Sequence, residues 1–390
     1  MRNILLTGGT GVVGSALVPR LLADGHAHVW MLTRAATADE LQAKLRRLQE
    51  FWREAASDDE VEGKALDLSR LHPISGDVRS PLLGLDRADY DRLCECVTHV
   101  VHSAGDVRLN QSLEEARDCA VGGLERILTF AADCRRHGQF VKLDAVSTVG
   151  VAGRQRGSIP EAPLTGDRQY RNTYEAAKHA AEELLLRAMA EGLPATIHRP
   201  SMVVGDSRSG LVSRFQVFYY LSELLAGRRT WGVVPDTGPA RLDIVPVDYV
   251  ANAIALASNA EDASGRVFHL CSGPEQAVPL RQLADRLRTL FAGEGIRLPR
   301  RRIVSPAAVR RVLPWAARLS PPKVRRALAT APYFLAYLED EQTFDNAATQ
   351  AYFSERGLIL PPVDEYLDRI VGYYLRKRRA AKSSAVGAAS

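Results

Sequence analysis

Short apolar runs alternate with amphipathic stretches through the first half of the chain. The runs Ile4–Thr7, Val29–Thr33, Ile74–Gly76, His99–His102 and Val141–Ser147 predict strands. Between them, Ser15–Asp24, Ala38–Glu54, Leu113–Ala116 and Leu124–Arg136 carry helical periodicity. Strands separated by helices pair in parallel through right-handed crossovers, so the fold class is α/β, a doubly wound parallel sheet. Pro19 conflicts with the first helix and is expected to kink or tighten it, while Leu17, Val18, Leu21 and Leu22 preserve an apolar face. Further on, the pattern predicts strands at Ala195–His198, Asp243–Val247 and Val267–Leu270, and helices at Phe215–Leu225 and Tyr249–Ser258. From about residue 275 it becomes helical and basic, and residues 381–390, small and Ala-rich, are expected to be a disordered tail.

Composition narrows the function classes. Apolar residues make up 46% and charged residues 25% of 390, an ordinary globular balance. A net charge of +5 is too mild to argue for nucleic acid, but it accommodates an anionic cofactor or an acidic partner. The five cysteines (Cys94, Cys96, Cys119, Cys134 and Cys271) show neither a C-x-x-C pair nor zinc spacing, so reduced thiols and no metal are expected. Strand-like sequence starts at Ile4, so no signal peptide is expected, and no apolar run approaches the roughly 18 residues of a bilayer span. A cytoplasmic protein is expected, with peripheral membrane contact left open.

Thr7-Gly8-Gly9-Thr10-Gly11-Val12-Val13-Gly14 follows the first strand and opens the first helix. Such a turn lets bare backbone approach a pyrophosphate, with the helix N-terminus supplying N–H donors and positive dipole. The second strand ends in Thr33-Arg34, where NAD enzymes place an acidic residue for the ribose diol. A guanidinium there can fork onto a 2′-phosphate, with Lys44 as a second candidate charge, so NADPH is the favoured cofactor. Asp77 and Val78 close the third strand, and Ser103, Ala104 and Gly105 the fourth. Ligands sit at the carboxyl ends of strands in such sheets, so all five are candidate cofactor contacts.

Tyr174-Glu175-Ala176-Ala177-Lys178 is a Y-x-x-x-K on a helical stretch, which puts phenol and ammonium side by side. A tyrosine with a pKa near 10 is a weak acid–base catalyst at neutral pH, and a neighbouring cation is expected to lower it. A hydroxyl from Ser147-Thr148, at the end of the fifth strand, can hydrogen-bond the reacting oxygen beside the tyrosine.

Together with Asn172–Lys178, Arg199–Asp206 and Asp243–Val250, these motifs resemble the extended short-chain dehydrogenase/reductases over roughly residues 1–275. In detail they are similar to the thioester reductase branch: reductase domains of peptide and polyketide synthases, carboxylic acid reductases and fatty acyl-CoA reductases. The resemblance implies that Thr148 rather than Ser147 is the catalytic hydroxyl, and that Pro200, Ser201 and Val203 meet the nicotinamide carboxamide. Ala120 stands where many members carry an asparagine, which puts any proton relay through that residue in doubt.

The expected organisation is a Rossmann domain over residues 1–200, with sheet contributions from about 240–272. A mostly helical substrate-binding or lid region covers 201–240 and 273–380. The expected activity is NADPH-dependent reduction of an acyl thioester, on CoA or a carrier protein, to an aldehyde. Two readings stay open beside it: an alcohol dehydrogenase or ketone reductase for a hydrophobic small molecule, and a non-enzymatic NADPH sensor. Nine basic residues between Leu298 and Leu328, including Arg310 and Arg311, are expected to form a lid and docking surface that meets an anionic membrane surface, an acidic carrier protein or the phosphates of CoA.

Overall fold

The computed structural model describes residues 2–23, 25–58, 66–305 and 341–387, with residues 307, 308, 311 and 318 between the last two stretches. Its main sheet has seven strands: β1 (Arg2–Thr7), β2 (Ala27–Thr33), β3 (Leu71–Ser75), β4 (His99–His102), β5 (Lys142–Val146), β6 (Ala195–Pro200) and β7 (Val267–Leu270). They lie in the order β7-β6-β5-β4-β1-β2-β3, every pair parallel. The order runs outward from β1 in one direction and restarts on its other side at β4. That switch point opens a crevice at the carboxyl ends of the strands.

Period-two alternation sorts the side chains of β1. Ile4 and Leu6 enter one core, Leu5 the other. Helices α1 (Val12–Leu22), α2 (Ala38–Asp58) and, later in the chain, Val247–Ser258 cover the first face. Arg87–Cys96, Gly123–Arg136 and Thr173–Ala190 cover the second. Helix α1 runs unbroken through Pro19. Proline has no N–H for the Ser15 carbonyl, and the Trp52 indole N–H of α2 donates to that oxygen instead, at 2.7 Å. The local conflict becomes a tie between two helices.

Most of the remaining segments pack on the first face, while Ile159 and Phe344 join a small separate cluster with Val151, Ala152 and Leu164. Strand pairs join 202–204 to 244–246, 233–235 to 302–304, 241–242 to 278–279, and 157–159 to 342–344. Phe218, Leu287, Phe353 and Tyr366 share one continuous core with α1. Two expectations change. Arg302–Val304 is a strand rather than part of a helical run, because it completes an edge beside Val233–Pro235. The last helix spans Val363–Gly387, through residues expected to be disordered; its Ala, Lys and Arg are good helix formers once the packed turns before them nucleate the helix. Arg310, Lys323, Arg325 and Arg326 of the basic run lie outside the described residues, as do residues 388–390. Among the described residues, no helix is long and apolar enough to cross a membrane.

Candidate active site

The turn from β1 into α1 is built around close backbone approach. Gly8 has φ +75°, and a Cβ on it would meet the Ser103–Ala104 backbone at 2.6 Å. A Cβ on Gly14 would lie 2.2 Å from the Gly8 carbonyl oxygen. Gly11 is the N-cap of α1 and has no side chain to occupy the first-turn N–H groups. These donors face the cavity that Thr10, Gly11 and Val12 line, a cradle suited to a dinucleotide pyrophosphate. Thr7 is placed differently from expectation. Its buried hydroxyl lies 2.9 Å from His102 Nδ1 and accepts from the Ala104 N–H at 3.2 Å, tying β1 to β4 instead of facing the cavity. Burial lowers the His102 pKa to about 3, so the ring is neutral.

One cavity of about 380 Å³ gathers Thr148, Tyr174 and Lys178 with Ser103, Gly105, Pro200, Ser201 and Val203. Asn172 caps the helix that carries Tyr174, its side chain accepting from the Glu175 N–H at 2.9 Å, which leaves Tyr174 in the first turn. Thr148 caps the short turn Val149–Ala152 by accepting from the Gly150 N–H at 3.1 Å. Its hydroxyl and the Tyr174 phenol line the same cavity. Ser147 turns away and donates to Glu182 at 2.6 Å.

Burial pushes the Tyr174 phenol up to about 12, against a smaller lowering by the nearby Thr148 hydroxyl. The expected lowering by Lys178 is therefore not realised. The ammonium donates to the Val146 carbonyl at 3.0 Å, and burial lowers its own pKa. Desolvation outweighs the helical proximity of the two side chains.

Arg34, Lys44 and Asp77 meet in a second cavity of about 500 Å³ beyond β2 and β3. Arg34 is exposed. Lys44 is already paired with Glu40 at 2.7 Å and donates to the Arg34 carbonyl. Asp77 is paired with Arg79 at 2.9 Å. Burial raises its carboxyl, but the hydrogen bonds from Arg79 outweigh that and hold it below the usual range. The Val78 and Ala104 side chains turn into the second core and do not line either cavity.

The sequence reading missed the group behind Ser147. Glu182 accepts from Arg199 Nε at 3.1 Å through both oxygens, and Arg199 also reaches the Ala162 carbonyl and His269 Nε2 at 3.0 Å each. The signal was present: Tyr174, Lys178 and Glu182 are spaced four apart, on one helix face. No local signal marks Gln342 and Phe344, which the strand Gln342–Phe344 brings to the cavity wall from far along the chain. The arrangement places two hydroxyls and an amine in one cavity wall, beside a loop shaped for phosphate.

The family model described as Male sterility protein, an NAD-binding family, matches residues 6–254. Isonitrile lipopeptide synthase of Streptomyces coeruleorubidus is 29% identical over 274 residues, which is 70% of this chain and 18% of that protein. Glycine betaine reductase ATRR of Emericella nidulans is 28% identical over 310 residues, 74% of this chain and 22% of that protein. The chain thus spans a small part of each of these relatives. Among solved structures, the terminal R domain from the myxalamid PKS-NRPS biosynthetic pathway is 28% identical, with a TM-score of 0.77 over 97% of this chain and 90% of that one. The chain belongs to the Male sterility protein family, and it is an oxidoreductase of the extended short-chain dehydrogenase/reductase type that uses a nicotinamide cofactor.

Proposed function

We propose that the protein is an NADPH-dependent reductase that converts an acyl thioester, carried on CoA or a carrier protein, to an aldehyde. The observation that carries the chemistry is the placement of Thr148, Tyr174 and Lys178 in the wall of one cavity, at the mouth of the phosphate loop. The thioester class is supported by likeness to a terminal domain of a peptide–polyketide assembly line and to a named reductase. NADPH is supported by an exposed Arg34 where an acidic residue would serve NAD.

When bound, the dinucleotide supplies the hydride to the carbonyl carbon. Thr148 and Tyr174 hydrogen-bond the carbonyl oxygen, on which negative charge develops. A phenol that burial keeps protonated is in the form an acid needs, and Tyr174 gives its proton to that oxygen. Lys178, in the same cavity, then passes a proton to the phenolate and is itself reprotonated from solvent. Collapse of the hemithioacetal breaks the C–S bond, leaving an aldehyde and a free thiol. The test is NADPH oxidation against acyl-CoAs, carrier-bound acyl groups, aldehydes and ketones, with products identified. Aldehyde formed from a thioester, lost in Tyr174→Phe, is expected. Turnover of ketones alone would overturn the thioester reading.

A further inference from the structure

The cavity beyond Tyr174 has a mostly apolar wall, with Met202, Val217, Leu221, Leu242 and Leu280 among its lining residues. Three arginines interrupt it. Arg171 is committed to structure, donating to the Gly153 carbonyl at 2.7 Å, Glu175 at 3.2 Å and Gln342 at 3.0 Å. Arg214 has neither a hydrogen bond nor an ion pair among the described residues, although it lines the cavity and is exposed at its opening. Arg241 is also exposed there; its Nε donates to the Ala277 carbonyl at 2.9 Å, and its two terminal nitrogens have no partner among the described residues.

The segment that presents Arg214 is tied down. Asp206 Oδ1 accepts from the Ser209 N–H and hydroxyl, both at 3.0 Å, and Ser207 donates to Asp248 at 2.9 and 2.6 Å. Arg369 reaches the Ser207 carbonyl at 3.1 Å, and the Ser15 hydroxyl donates to Ser213 at 2.9 Å. The fold therefore fixes the stretch of chain from which Arg214 extends. The single acidic side chain among the residues lining the cavity, Asp243, is engaged by the Ser272 and Gly273 N–H groups at 2.8 and 2.9 Å. A cationic rim on an apolar cavity suits a ligand that joins a phosphate to an uncharged arm.

We propose that Arg214, assisted by Arg241, binds the phosphate of the pantetheine arm that carries the acyl group. This rests on the thioester reading above and names the part of the donor that the site recognises. The same chemistry would suit the dinucleotide's pyrophosphate, because Ser213 abuts α1, and the test separates the two. Acyl-CoA and the N-acetylcysteamine thioester of the same acyl group, which lacks phosphate, are compared in wild type and Arg214→Gln. The expected result is a fall of roughly 10–100-fold in the ratio of kcat/KM for the two donors, the size of one lost charge-assisted contact. An unchanged ratio overturns the proposal. So does weaker NADPH binding with that ratio unchanged, which would assign Arg214 to the pyrophosphate.

Calorimetry with pantetheine 4′-phosphate, on the NADPH-loaded full chain, needs no turnover. Binding that Arg214→Gln weakens supports the rim even if no thioester is reduced, in which case only the thioester reading fails. Absence of binding to wild type, or equal binding to the variant, overturns the rim.

Discussion

Replacing Thr148 by valine keeps the shape of the side chain and removes one hydroxyl. That hydroxyl has two roles: it accepts from the Gly150 N–H at 3.1 Å, and it lines the cavity beside the Tyr174 phenol. The first is a cap, and its loss costs about 0.5–2 kcal/mol of stability. In the second, it is proposed to hydrogen-bond the reacting carbonyl oxygen. Removing one such donor costs about 10²–10³ in kcat, or about 2.7–4 kcal/mol of transition-state stabilisation. The two losses are read separately: thermal unfolding reports the cap, and kcat with saturating NADPH and acyl donor reports the chemistry. NADPH affinity by calorimetry is expected to stay at the wild-type value. Thr148→Ser keeps the hydroxyl and is expected to recover most of the rate. Ser147→Ala is the matched control, because its hydroxyl is given to Glu182 at 2.6 Å. It is expected to lower stability by about 1.5–3 kcal/mol, as for a hydrogen bond to a charged group, and to leave kcat near wild type. If Ser147→Ala abolishes turnover while Thr148→Val is active, the assignment of the two hydroxyls is wrong.

Three further outcomes are expected. Arg34→Ala should remove a preference for NADPH over NADH of at least about tenfold; Lys44→Ala should matter less, since Glu40 already holds that ammonium at 2.7 Å, and equal wild-type affinities for the two cofactors would refute the assignment. With rising pH, Lys178 should lose its proton before Tyr174, because burial lowers the first below 10.5 and raises the second to about 12. The alkaline limb of kcat should thus lie below 10.5, and a limb near 12 would attribute it to the phenol instead. Glu182→Ala strands Arg199 in the interior and should cost about 3–5 kcal/mol in urea unfolding, and a loss under about 1 kcal/mol would show that the pair is not desolvated.

What the sequence determined by itself is what depends on neighbours along the chain. The apolar run Ile4–Thr7, the glycines at 8, 11 and 14, and the four-residue step from Tyr174 to Lys178 are local patterns. Each of them dictates a strand, a turn or a helix face before any packing occurs. Tertiary structure decided whatever depends on residues far apart. Trp52 answering the carbonyl that Pro19 leaves open, and Gln342 and Phe344 joining the wall around Tyr174, carry no mark in the local pattern. The protonation of Tyr174 belongs to this second class. Spacing placed a cation near the phenol, but burial set its pKa, because desolvation is a property of everything packed around a group and not of its sequence neighbours.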